Sequence, residues 1–159
     1  FRPDTSEGAP LCRWISEPTV LDVMPFDEAS LGFTNVWYRD AITYHETREI
    51  EPNLVIRLVA PPYFVATKIE AFKGRGNGDF LGSSDIEDLI SIVDGREELF
   101  DEIRSAANDV RSYIAEHFRG FLNTRGFIDA VPGHILPDEI NQKRVVSVIE
   151  RIRRISGLT

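Results

Sequence analysis

Residues 61–96 of this 159-residue chain read PPYFVATKIEAFKGRGNGDFLGSSDIEDLISIVDGR. The two prolines suit the first turn of a helix, and the mainly apolar residues after them predict a helix over residues 63–73. The glycine-rich residues 74–78 predict a turn, because glycine does not favour the helix interior. A second helix is predicted over residues 85–93, with Ser84 as the N-cap of a capping box. The stretch therefore predicts two helices joined by a short connection.

Upstream of this stretch the pattern favours strands. Residues 11–16 and 19–24 are rich in β-forming side chains, and the Glu17-Pro18 pair between them predicts a hairpin. The run LVIRLV at residues 54–59 predicts a third strand. The other predicted elements are short helices over residues 27–31 and 36–41, a helix or helix pair over residues 97–122, and a last helix over residues 138–155.

Strands are thus predicted in residues 1–60 and helices in residues 61–159. Such segregation is typical of an α+β fold, here with a helical C-terminal half. Since 42% of the 159 residues are hydrophobic, the chain can build one substantial core. We therefore expect a strand-rich part and a helical part within one compact domain.

The composition excludes several classes of protein. The chain contains no apolar run of 18 or more residues, so no membrane span is predicted. Its only cysteine, Cys12, excludes a disulfide framework and a cysteine-based zinc cluster, and favours a reducing, cytoplasmic location. The net charge of −8 opposes broad nucleic-acid binding.

The charge is distributed unevenly along the chain. After residue 140 there are five basic residues and a single acid, Glu150, although the whole chain is acidic. Two interpretations of this basic end remain open: it contacts a phosphate backbone, or it docks on the acidic body of the same chain.

Two charged residues interrupt segments that are otherwise apolar, and charge at such positions is costly unless it is paired or used. Asp22 lies in the strand-like run TVLDVMP, where a rigid backbone would hold a carboxylate ligand for Mg²⁺. Lys68 lies four residues from both Phe64 and Phe72, and could neutralise a triphosphate in a cleft. The alternatives are a solvent-facing Asp22 and a Lys68 whose stem only covers apolar surface.

Three further residues are candidates near the glycine-rich turn. Asp85 and Asp88 are three residues apart in the first turn of their helix, where they could act as a base or orient a metal. The alternative is that these acids have no functional role, because the helix dipole stabilises acidic side chains at the start of any helix. Arg75, within the turn, could contact a phosphate. The sequence thus nominates Asp22, Lys68, Asp85 and Asp88 as catalytic candidates, Asp22 as a metal ligand, and Lys68 and Arg75 as nucleotide-binding residues.

Two segments together carry a family resemblance: LDVMPFDEASLGFTNVWY at residues 21–38 and APPYFVATKIEAFKGRGNGDFLGSSDIEDLISIVDGR at residues 60–96. They resemble nucleotidyltransferase-fold proteins of the abortive-infection type, the toxins of type IV toxin–antitoxin systems. The resemblance covers residues 1–96 and implies a polymerase-β-like fold, with part of its mixed sheet in residues 1–60. It also implies transfer of a nucleotide from an NTP with Mg²⁺ to a hydroxyl of RNA, for example tRNA, or of protein, and a cognate antitoxin as a possible partner.

The resemblance also implies individual roles. Asp22 matches the family's later metal-binding aspartate, Lys68 its phosphate-contacting lysine, and Asp85 and Asp88 its D-x-x-D helix start. The family's Gly-Ser motif followed by an Asp-x-Asp strand is absent, because Gly82-Ser83 precedes a helix. We therefore expect that motif upstream of residue 1, and expect the chain alone to be inactive.

Two alternatives to an enzyme remain open at this stage. The first is a non-catalytic binding or antitoxin-like module on the same fold, whose acidic body meets a basic partner. The second is a structural domain in which Asp22 and Lys68 form an internal ion pair.

Overall fold

The computed structural model describes residues 1–26 and 34–158. Within these ranges strands precede residue 60 and helices dominate after it, which confirms the predicted α+β class with a helical C-terminal half. The helix predicted over residues 27–31 lies outside the described residues. In the described ranges, no helix combines the length and apolarity needed to cross a membrane.

The first sheet contains the predicted hairpin. Strands β1 (Arg2–Pro3), β2 (Arg13–Ser16) and β3 (Thr19–Asp22) pair antiparallel in that order. The two-residue connection at Glu17-Pro18 was predicted correctly, although β2 and β3 are shorter than residues 11–16 and 19–24. The hairpin register places Arg13 directly opposite Asp22.

The second sheet is an antiparallel hairpin of β4 (His45–Glu51) and β5 (Leu54–Val59). It follows a short helix, α1 (Tyr38–Thr43), which begins two residues later than the predicted helix over residues 36–41. Asn53 turns the chain with a φ of 67°, a conformation that asparagine tolerates. All strand pairs in the described ranges are antiparallel, so the mixed sheet expected from the family resemblance is not observed there.

The quoted stretch forms α2 (Pro61–Arg75) and α3 (Ser84–Gly95), and two details of its prediction were wrong. First, α2 continues through Gly74, because that position is exposed and the turn is made by the next residues, with Asn77 at φ 49° and Gly78 at φ 75°. Second, the N-cap of α3 is Ser83 and not Ser84, because the Ser83 hydroxyl accepts a hydrogen bond from the Ile86 amide.

The remaining helices complete the C-terminal half. The segment predicted as a helix or helix pair forms two helices. The predicted last helix is divided into two helices at Lys143. Just before this break, the side chains of Asp138 and Gln142 form hydrogen bonds with nearby backbone groups. The elements are α4 (Leu99–Ser105), α5 (Asn108–Leu122), α6 (Arg125–Ala130), a 3-10 turn (Val131–His134), α7 (Glu139–Gln142) and α8 (Arg144–Ser156).

The hydrophobic core lies among these helices. Its fully buried side chains include Ile69 of α2, Leu89 of α3, Phe118 of α5 and Ile152 of α8. Among the described residues, Trp37 is the one buried hydrophobic side chain that precedes residue 60. Helices α2 and α3 belong to this core, so charged side chains on them are held on a rigid support.

Candidate functional site

Four of the five nominated residues lie together on the two packed helices α2 and α3. Lys68 and Arg75 project from α2 toward Asp85 and Asp88 of α3. Asp85 lies in the first turn as predicted, but Asp88 lies just after it, because α3 begins at Ser84. We call these four residues the Lys68 cluster. It forms because a short turn reverses the chain between the two helices, and because their apolar faces pack in the core.

Asp85 is the buried member of the Lys68 cluster, with a side chain only 2% exposed. Arg75 donates two hydrogen bonds to its carboxylate, from Nε at 2.8 Å and from Nη2 at 2.7 Å. Lys68 Nζ lies 3.5 Å from the same carboxylate. A buried carboxylate is tolerated when it is paired in this way. These hydrogen bonds to Asp85 raise the pKa of Arg75 above its ordinary value.

Asp88 is the accessible member, with a side chain 42% exposed and ion-paired to Lys68 Nζ. Lys68 is 25% exposed, and its ammonium lies 5.6 Å from the centre of the Phe64 ring. Its stem therefore covers apolar surface while its charged end joins two carboxylates. Both interpretations offered by the sequence are compatible with this placement.

A cavity of about 660 Å³ opens beside Asp88, between the β4–β5 hairpin and helices α2 and α3. Apolar side chains line part of it, among them Leu58, Phe64 and Ile92. Charged groups also line it, including Arg48 and Arg96. A mainly apolar cleft with a few charged groups is the usual form of a small-molecule site. We call it the Asp88 cavity.

A second opening lies on the other side of the Lys68 cluster. It has a volume of about 360 Å³ and is lined by Arg75, Asp85 and the turn before α3. Asp85 and Arg75 therefore face this opening, while Asp88 faces the Asp88 cavity.

Asp22, the fifth nominated residue, is held elsewhere. Both of its carboxylate oxygens accept hydrogen bonds from Arg13, from Nε and from Nη2, each at 2.9 Å. These bonds lower the pKa of Asp22. The ion pair between Asp22 and Lys68, one of the alternatives left open by the sequence, does not form, because Arg13 pairs with Asp22 and the α3 acids pair with Lys68.

The described residues do not by themselves provide a Mg²⁺ site. Among them, no group of three or more His, Cys, Asp or Glu side chains is arranged to hold a metal ion. Asp22 is engaged by Arg13 through both oxygens, and Asp85 is engaged by two cations. Mg²⁺ prefers an octahedral set of oxygen ligands that are free to bind it.

Sequence reasoning missed a polar network that joins α2 to α5. The Tyr113 hydroxyl donates to the Glu70 carboxylate, and Lys73 Nζ donates to the same oxygen at 2.9 Å. Burial alone would raise the pKa of Glu70, but the hydrogen bonds from Tyr113 and Lys73 outweigh it and lower that pKa. Burial raises the pKa of Tyr113. Glu70 and Tyr113 are distant in sequence, so no local pattern signals their contact.

The structure also shows what the basic C-terminal segment contacts. Arg144 pairs with Asp94 at 2.9 Å, and Arg151 Nη1 donates to the backbone oxygens of Val93 and Asp94 at 2.9 and 2.8 Å. These contacts fit the docking interpretation for α8, since cationic side chains suit the C-terminal end of a helix. Arg154 follows a different pattern, since its guanidinium lies over the Phe100 ring.

Comparisons with protein-family models, with curated proteins and with solved structures found no match to this chain.

Proposed function

We propose that this chain is a nucleotidyltransferase-like protein with a polymerase-β-like core, and that the Lys68 cluster contacts the nucleotide. The enzyme would transfer a nucleotide from an NTP to a hydroxyl of RNA, such as tRNA, or of protein. The family resemblance supports the reaction class. The observation that carries the proposal is the ion pair between Lys68 and Asp88, a residue that lines the Asp88 cavity.

Three members of the Lys68 cluster have distinct roles in this proposal. Lys68 exchanges its contact with the half-exposed Asp88 for a phosphate oxygen, whose negative charge it neutralises. Asp88, once released, is available to accept a proton from the attacking hydroxyl. Asp85 is a positioning residue, since its buried carboxylate fixes Arg75 and holds Lys68 nearby.

The Asp88 cavity offers a place for the rest of the nucleotide. Phe64 and Ile92 provide apolar surface against which a base or sugar can pack, and Phe64 lies directly beside the Lys68 ammonium. Mg²⁺ would bring charge neutralisation to the triphosphate when bound. Since the described residues do not fit that metal, the proposal assigns them nucleotide contacts and no metal-dependent step.

A calorimetric titration of the chain with ATP, GTP, CTP and UTP, each with and without Mg²⁺, tests the proposal. We expect saturable binding of at least one nucleotide, and expect Lys68→Ala to weaken its Kd about tenfold, equivalent to about 1.4 kcal/mol. Lys73→Ala is the matched control, because Lys73 lies on the same helix but pairs with Glu70. No binding of any nucleotide, or equal losses in the two variants, would overturn the proposal.

A second candidate is a non-catalytic binding or antitoxin-like module on the same fold. It is favoured by the Arg13–Asp22 pair, which neutralises the expected metal ligand, and by the acidic exposed face of β4. It predicts that Asp22→Asn and Lys68→Ala leave binding to a basic protein partner unchanged. Charge reversal at Glu49 and Glu51 should weaken that binding, which surface plasmon resonance with the partner would measure.

A further inference from the structure

A third, smaller cavity lies where the C-terminal end of α3, the start of α4 and the last turns of α8 meet. Its volume is about 210 Å³, and its charged lining consists of Arg96, Arg151 and Arg154 with a single acid, Glu97. The chain as a whole carries a net charge of −8, so this concentration of positive charge is unusual for the molecule. We call it the arginine cavity.

Two of the three arginines are held in place by contacts that leave part of each guanidinium unused. Arg96 donates from Nε and Nη2 to Glu102 at 2.7 and 2.6 Å, and Arg151 donates from Nη1 to the carbonyls of Val93 and Asp94. The bonds found among the described residues do not engage Nη1 of Arg96, nor Nε and Nη2 of Arg151. These groups are therefore pre-positioned donors, which reduces the ordering cost of binding an anion.

Arg154 differs from Arg96, because no carboxylate in the described part of the chain lies within ion-pair distance of it, and from Arg151, because it contacts an aromatic ring. Its guanidinium carbon lies 4.4 Å from the centre of the Phe100 ring. A guanidinium that stacks on an aromatic ring keeps its N–H groups directed outward, in the plane of the group. Arg154 thus adds an oriented cation whose charge is not matched by a neighbouring acid.

We infer that the arginine cavity binds a phosphate group. Guanidinium edges match the oxygens of a tetrahedral phosphate and bind them with charge-assisted hydrogen bonds. The volume suffices for such a group with several waters, since each water occupies about 30 Å³. Glu97 opposes the anion and Glu102 already pairs with Arg96, so the positive charge available to the anion comes mainly from Arg151 and Arg154.

The arginine cavity is separate from the Lys68 cluster, although Arg96 lines both it and the Asp88 cavity. The inference therefore does not depend on the proposed nucleotide site. The same phosphate chemistry could be supplied by inorganic phosphate or by the terminal phosphate of a nucleotide or RNA end, and the two sources are distinguished by the choice of ligand.

The test is a calorimetric titration of the intact chain, in a low-salt buffer free of phosphate, with inorganic phosphate and separately with AMP. We expect saturable binding, and expect Arg154→Gln to weaken it about tenfold. Arg153→Gln removes the same charge from the same helix turn but not from the cavity lining. It should therefore weaken binding by less than about twofold.

Thermal unfolding of both variants would establish that they remain folded. Equal affinity for the two ligands would assign recognition to the phosphate group alone, whereas tighter binding of AMP would assign it to a nucleotide. Lys73→Ala, which lies outside both proposed sites and removes a partner of Glu70, should leave the affinity for inorganic phosphate unchanged. The comparison of Arg154→Gln with Arg153→Gln does not depend on whether Lys68→Ala alters nucleotide binding, which separates this inference from the proposed function. Equal losses in Arg153→Gln and Arg154→Gln, or the absence of saturable binding, would overturn it.

Discussion

The strand-bearing region (described residues 1–26 and 34–59) and the helical region (residues 61–158) differ in how far their apolar side chains are buried. The helices bury most of theirs in one shared core, whereas Val20 of β3 and Val55 of β5 are more than half exposed. The accessible surface is 10174 Å², compared with about 8,000 Å² for a compact monomer of this mass. Core packing therefore stabilises the helical region, and backbone pairing with little side-chain burial holds the hairpins.

The same contrast appears in two arginine–aspartate pairs. Arg13–Asp22 and Arg75–Asp85 both use Nε and Nη2 to bind two carboxylate oxygens. Asp22 is 40% exposed, whereas Asp85 is 2% exposed and has Lys68 as a second cation. The same donor geometry thus has different consequences, because solvent can reach the carboxylate of Asp22 but not that of Asp85.

The largest expected difference between the two regions is in apolar packing. Leu89→Ala, at a side chain 1% exposed, should lower the free energy of unfolding by about 2–5 kcal/mol. Leu21→Ala makes the same change at a β3 side chain 46% exposed, and should lower it by less than about 1 kcal/mol. Urea denaturation followed by circular dichroism measures both. Similar losses would contradict the view that the helices alone form the cooperative core.

A smaller difference is expected between the two carboxylates. Asp85→Asn should destabilise the chain by about 1–3 kcal/mol, because it removes charge-assisted hydrogen bonds at a buried site. Asp22→Asn should leave the urea midpoint unchanged within error, since solvent can satisfy Arg13. If Asp22→Asn destabilised the chain more than Asp85→Asn does, the exposed Arg13–Asp22 pair would be important for stability, and burial would not explain the difference between the two pairs.

The smallest expected effect concerns pH. Burial of Tyr63, against the stacked Tyr44 ring, raises its pKa from 10.0 to about 12. The folded chain therefore holds the hydroxyl proton of Tyr63 more tightly than the unfolded chain does. As the pH rises from about 10 toward 12, the unfolded chain loses this proton first, so the free energy of unfolding falls. Tyr63→Phe should reduce the alkaline loss of thermal stability, and Tyr38→Phe on α1 is the control. Identical pH profiles for Tyr63→Phe and the parent chain would refute the assignment.

The fold was predictable from sequence where apolar residues recur at helical spacing along the chain. Helices α2 and α3 follow the apolar spacing of residues 61–96, so their existence is clear from sequence. Strand β4 is not, because HETREIE contains a single aliphatic residue, Ile50, and becomes a strand only by pairing with β5. Helix ends depended on single hydrogen bonds, as at Ser83, which composition does not determine.

The candidate site was predictable only as a set of residues. The sequence nominated Lys68, Arg75, Asp85 and Asp88 from charge in apolar or turn positions, but carried no information on their distances. Asp22 illustrates the limit, since its partner Arg13 becomes adjacent only through the register of the β2–β3 hairpin. The reaction class and the roles of these residues remain predictions.

Strand β5 also bears on the solubility of the chain. Among the described residues it pairs only with β4, so its other edge presents unpaired backbone groups. Its sequence LVIRLV is apolar except for Arg57, and Leu54, Val55 and Leu58 are exposed. Short apolar strands with a free edge are templates for intermolecular stacking, and a charge within them opposes it. Arg57 is therefore the side chain on β5 that protects this edge from self-association at high concentration.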